Sequence, residues 1–113
     1  MNLPKIRGHQ IARQQQTRSD LLLGVDIGTQ GVKGELITPT GKVVAVAQRA
    51  QTCAYPRPDW CEQDMIVNWW ENPAMVIREL LVKAGAKRSQ VKAVAVSGLF
   101  PALGRTDASG IPL

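Results

Sequence analysis

At Leu21 the chain passes from a polar stretch into Leu21-Leu22-Leu23-Gly24-Val25-Asp26-Ile27, which closes on Gly28-Thr29-Gln30-Gly31. An apolar run of this length ending in a glycine-rich bend predicts a strand and a tight turn. From Val32 to Thr38, the residues Val32, Gly34 and Leu36 alternate with Lys33, Glu35 and Ile37, the period of a strand with one face more polar than the other. Thr38-Pro39-Thr40-Gly41 is a compact turn signal, and Lys42 to Gln51 reads as a third strand. Links of about four residues are too short for a parallel return, so the three strands are expected to form an antiparallel β-meander.

Cys53 to Gln63 contains Pro56 and Pro58 and has no period, the mark of a loop crossing the surface. Asp64 is a good helix N-cap, and Ile66, Trp70, Ala74, Ile77, Leu81 and Ala84 follow at helical spacing up to Gly85. On this stripe Trp70 is expected in the core. Pro73 interrupts the pattern and predicts a kink, or two helices with Asn72 capping the second. Val91 to Ser97 is β-rich and alternating, a fourth strand that makes the helix a crossover. Leu103 to Thr106 and Ile111 onward flank Asp107-Ala108-Ser109-Gly110, a hairpin turn opening a strand that the sequence does not complete. The pattern therefore predicts a truncated α/β domain whose unpaired sheet edge is open to a second copy of the chain, as in a homodimer.

The length and the 44% hydrophobic content allow one domain or part of one. Of the net charge of +5, Lys5, Arg7, Arg13 and Arg18 supply four units before the first acid, Asp20, leaving +1 for the rest. The basic balance thus describes a tail and not a patch, which argues against nucleic acid as a partner. Residues 1–19 are rich in Gln and Arg, without strong apolar periodicity, and are expected to be a disordered tail before a domain at 20–113. No run is long enough for a signal h-region or a membrane span, so a cytoplasmic protein without membrane contact is expected. Cys53 and Cys61 have no nearby His; they make neither a zinc site nor a disulfide scaffold, and free thiols are the expectation although their pairing stays geometrically open.

The chemistry concentrates in Gly24-Val25-Asp26-Ile27-Gly28-Thr29-Gln30-Gly31-Val32-Lys33. Gly28 and Gly31 let backbone amides approach a polyphosphate, Thr29 offers a hydroxyl beside Gln30 in the same turn, and Lys33 adds positive charge. Asp26 suits Mg²⁺, which takes one or two carboxylates together with waters and phosphate oxygens. By spacing alone, an ordinary hairpin with turn glycines explains the segment nearly as well. The segment resembles the first phosphate-binding motif of the actin-like ATPase superfamily, and that resemblance implies a ribonuclease H-like, actin-like ATPase domain using ATP and Mg²⁺.

A second stretch, Trp60-Cys61-Glu62-Gln63-Asp64 followed by Trp69-Trp70, resembles the W-x-E-Q-D and W-W pattern of FGGY carbohydrate kinases of the xylulose and glycerol kinase type. The resemblance implies that Glu62 accepts hydrogen bonds from sugar hydroxyls beside an apolar wall formed by Trp60. A third match, Val94-Ala95-Val96-Ser97-Gly98 with Asp107-Ala108-Ser109-Gly110-Ile111-Pro112-Leu113, resembles the family's strand, S-G loop and D-x-x-G-x-P-L hairpin. Where xylulose kinases typically carry Met-His near the sugar, this chain has Leu99, Phe100 and Pro101. An apolar loop cannot hydrogen-bond a polyol, so the particular sugar is left open. Three ordered motifs at family spacing are together far more specific than any one.

The resemblance implies phosphoryl transfer from MgATP to a sugar or polyol. It also implies that the catalytic aspartate and the adenine-binding motif lie outside the matched region, which predicts no turnover by this segment alone. Two other readings remain: an actin-like ATPase that uses nucleotide as a conformational switch, and a non-catalytic remnant or interaction module.

Overall fold

The computed structural model describes residues 20–113; the expected tail, 1–19, lies outside them. Strands β1 (Leu21–Ile27), β2 (Gly31–Ile37) and β3 (Val43–Ala50) precede helix α1 (Asn72–Ala84) and strand β4 (Val91–Gly98), and the sheet runs β3-β2-β1-β4. β1 pairs antiparallel with β2, and β2 with β3, whereas β4 lies parallel to β1. The meander and the crossover both form as the pattern predicts, because short turns permit only antiparallel neighbours and the long β3-to-β4 link permits a parallel one.

Alternation assigns the faces. Leu21, Leu23 and Val25 of β1, Val32 and Leu36 of β2, and Ala45 and Ala47 of β3 are buried with Val76 and Leu80 of α1. Fully burying a side chain such as Leu36 or Leu80 stabilises by about 1.5–3 kcal/mol. Gly24, Asp26, Lys33, Glu35 and Gln48 fall on the exposed positions between them. β4 is an edge strand, and its Val94 and Val96 are exposed.

The helix begins as expected and then departs from its predicted stripe. The Asp64 carboxylate accepts from the Val67 backbone N–H at 2.8 Å, the capping geometry anticipated for it. Val67–Glu71 then forms a π-helical segment running directly into α1, with Pro73 in the first turn of α1. There the missing proline N–H costs little, since first-turn donors lack intrahelical partners anyway. The residues buried along this stretch are Asn68, Asn72, Pro73, Val76 and Leu80, whereas Ile66 is exposed and Trp70 is 74% exposed. The expectation that Trp70 is core is therefore wrong. A π turn takes more residues per turn than an α turn and shifts the phase of the stripe, so the predicted face holds only from Ile77, Leu81 and Ala84, which pack against the core. Asn72 does not cap either; its side chain faces β3.

At the end of the chain, Asp107 N–H donates to the Ile111 carbonyl, and the Asp107 carboxylate accepts from the amides of Ser109 and Ile111. Thr106 and Pro112 bridge antiparallel, which closes the anticipated hairpin turn.

Candidate functional site

The β1–β2 connection is a tight hairpin in which Gly28 N–H donates to the Gly31 carbonyl at 2.9 Å. Gly28 therefore uses its amide inside the turn, whereas the two amides that follow it in the turn, those of Thr29 and Gln30, donate to no carbonyl outside the strands among the described residues. A Cβ on Gly31 would stand 2.8 Å from the Arg49 carbonyl oxygen, so the close approach of β3 to the turn accounts for glycine there.

Asp26, Gly28, Gln30, Gly31 and Lys33 line a groove of about 460 Å³ beside this hairpin, together with residues of β3 that include Gln48. Asp26 lies opposite Lys33 on the antiparallel side and opposite Ser97 on the parallel side, and Lys33 lies opposite Gln48. The Asp26 carboxylate is exposed and has no ion-pair partner among the described residues, where the pairs are Glu79–Lys83 and Asp20–Lys92. Gln48 and Ser97 were missed by the sequence reasoning. The signal was available in the period of two, which puts both on the face of Asp26 once the register is known, but registers are set by pairing and not by local sequence.

The remaining candidates lie elsewhere. Glu62 is exposed, and its backbone exchanges two hydrogen bonds with Ala54, each 2.8 Å. Trp60 is half exposed, and the guanidinium carbon of Arg57 sits 5.0 Å from its ring centroid, within range of a cation–π attraction. Leu99 and Phe100 follow β4; Phe100 is 93% exposed. None of these four lines the hairpin groove. Thr29 is flanked by groove residues without being part of the wall.

Behind the hairpin, Gln51 Nε2 donates to the Gly28 carbonyl at 2.6 Å, and Gln63 Nε2 lies 3.4 Å from both the Gly28 and Thr29 carbonyls. Trp69 Nε1 donates to Gln63 Oε1 at 2.7 Å, and the Cys53 thiol approaches the Thr29 carbonyl at 3.7 Å. Cys53 and Cys61 are free thiols. Cys61 is exposed, and contact with Cys53 raises its thiol above the ordinary range against an opposing contact from Tyr55. The Cys61 contact likewise raises the Tyr55 hydroxyl.

A meander with a carboxylate at the root of its glycine hairpin, followed by a crossover helix and a parallel strand, is the opening of an actin-like, ribonuclease H-like ATPase domain as found in sugar kinases. The chain belongs to the FGGY family of carbohydrate kinases, whose N-terminal domain matches residues 21–112. It is 36% identical over 76 residues to a glycerol kinase of Albidiferax ferrireducens, covering 67% of this chain and 15% of that protein. Against the xylulose kinase of Escherichia coli it is 35% identical over 80 residues, covering 69% of this chain and 16% of that one. The crystal structure of xylulose kinase from Rhodospirillum rubrum superposes with a TM-score of 0.72 at 35% identity, over 82% of this chain and 19% of that one. The chain thus spans less than a fifth of the length of these relatives. Among the described residues no helix is long and apolar enough to cross a membrane.

Proposed function

We propose that this chain is the N-terminal portion of a cytoplasmic carbohydrate kinase that transfers the γ-phosphoryl group of MgATP to a hydroxyl of a sugar or polyol. The observation that carries the reading is Asp26: an exposed carboxylate without an ion-pair partner among the described residues, on a groove beside two hairpin amides that donate to no carbonyl outside the strands. Among the described residues no cluster of three His, Cys, Asp or Glu side chains forms a metal cage. A single carboxylate suits Mg²⁺ held mainly by phosphate oxygens and water. When bound, that ion neutralises charge on the phosphates. Lys33, opposite Asp26, adds a second cation at the same wall, and Thr29 and Gln30 supply amide donors.

Trp60, Glu62, Leu99 and Phe100 are proposed for the sugar side. Leu99 and Phe100 are apolar, so hydroxyl recognition on this segment falls to Glu62 with Trp60 beside it. The separation of these residues from the hairpin groove suits two substrates that meet only when a cleft closes. No side chain of this segment is assigned the role of catalytic base, and the isolated 113 residues are expected to be inactive.

An ADP-release assay over a panel including glycerol and xylulose tests this on the gene product carrying the segment. Sugar-dependent turnover there, and none from the segment alone, is expected. ATP hydrolysis indifferent to every sugar would favour a nucleotide switch instead.

A further inference from the structure

We infer that Gln51 and Gln63 are positioning residues that set the direction of the Thr29 and Gln30 amides by holding the Gly28 and Thr29 carbonyls from the helix side. The purpose given to those amides, binding phosphate, rests on the function proposed above.

The reasoning starts from peptide planarity. In a trans peptide the C=O of one residue and the N–H of the next point in opposite directions. Whatever fixes the Gly28 carbonyl therefore fixes the Thr29 N–H, and whatever fixes the Thr29 carbonyl fixes the Gln30 N–H. Gln51 holds the first at 2.6 Å, Gln63 reaches both at 3.4 Å, and the Cys53 thiol approaches the second. Three side chains from separate positions thus converge on two consecutive carbonyls. The two N–H groups behind those carbonyls point away from them, and neither is used by a carbonyl outside the strands among the described residues.

Each glutamine is itself held. Gln51 is buried, and its Oε1 accepts from Asn72 Nδ2 at 3.2 Å, while Asn72 Oδ1 accepts from Arg49 Nε at 2.9 Å. The polarity of this relay is imposed at both ends, because an arginine Nε–H only donates and a carbonyl oxygen only accepts. Each amide between them then has one orientation that satisfies both neighbours. Gln63 takes its orientation from Trp69, whose indole N–H is likewise a donor only. The buried asparagine at the start of α1 thereby gains a reason, since it connects the helix to the turn of the hairpin through Gln51.

The test uses the full chain labelled with ¹⁵N, as wild type and as Gln51→Leu and Gln63→Leu. Residual dipolar couplings of the Thr29 and Gln30 N–H bonds are measured without nucleotide, and amide shifts are then followed on titration with MgADP. We expect both couplings to change in the variants while those of Leu36 and Ala47 in the sheet stay fixed, and MgADP affinity to fall about fivefold per lost hydrogen bond. Unchanged couplings and affinity in both variants would overturn the inference. Should Gln51→Leu perturb the sheet, Gln63→Leu, in a half-buried loop position, decides alone. A wild type whose amides ignore MgADP while the variants still reorient them would sink the phosphate reading and leave the clamp standing.

Discussion

Gly34 lies directly under Leu80: a methyl group on its α-carbon would stand 2.8 Å from Leu80 Cδ1, and equally 2.8 Å from Val76 Cγ1. Leu80 and Val76 are almost fully buried, so neither has free space into which to withdraw. The contact sets how closely α1 approaches β2.

Gly34→Ala is therefore expected to destabilise the domain by about 1–3 kcal/mol through overpacking, despite the entropic advantage of removing a glycine from a strand. The midpoint of urea unfolding measures it. Combining it with Val76→Ala should cost less than the sum of the two single changes, because the pair shares one space; strict additivity would show that the close approach is not what matters.

Asp26→Asn keeps the shape and removes the charge. Being exposed, the residue should contribute within about 0.5 kcal/mol to stability, whereas Mg²⁺-dependent nucleotide binding should weaken at least about tenfold if the carboxylate meets the metal. Calorimetric titration with MgADP and with ADP alone separates the two contributions. Equal affinity for MgADP in wild type and variant would remove Asp26 from the metal.

Asp64→Ala deletes the side-chain acceptor at the helix start, where Val67 N–H now donates at 2.8 Å. A loss of about 1 kcal/mol is expected, with Asp64→Ser retaining most of it. Thermal unfolding followed by circular dichroism reports the difference. Indifference to Ala would mean that the π-helical segment holds the helix end unaided.

Cys61 should alkylate more slowly than a free cysteine at mildly alkaline pH, because the contact with Cys53 favours its protonated form even though the residue is exposed. The pH profile of iodoacetamide labelling should have its midpoint above the ordinary thiol range, and Cys53→Ala should bring it down. Since the folded chain holds this proton more tightly than the unfolded one, the contribution to stability is complete below the ordinary thiol pKa and fades as pH rises through the raised value. A midpoint at or below that of free cysteine contradicts this.

The two ends of the helix segment show where a linear reading succeeds and where it stops. Asp64 was legible as a cap because capping is local: the carboxylate and the amide it serves are three residues apart in the chain. Trp70 was misassigned because an apolar residue at helical spacing looks like core, while the face turned inward here carries Asn68 and Asn72. Those asparagines are buried for a reason outside their own segment. Asn68 donates to the Thr52 carbonyl and Asn72 meets Gln51 and Arg49, so the polar residues at and just beyond the end of β3 decide what the π-helical segment and the start of α1 present.

By itself the sequence determined the strands, their antiparallel order, the crossover, the helix cap and the hairpin with its carboxylate, since alternation, turn chemistry and loop length act over a few neighbouring residues. Tertiary structure alone decided the phase of the helix, the register that sets Gln48 and Ser97 on the face of Asp26, and the support of the Gly28 and Thr29 carbonyls by Gln51 and Gln63. Those depend on partners far away in the chain, 23 positions for Gln51 with Gly28 and 35 for Gln63 with Gly28, and a hydrogen bond over that distance is specified by how the layers pack and by no local pattern.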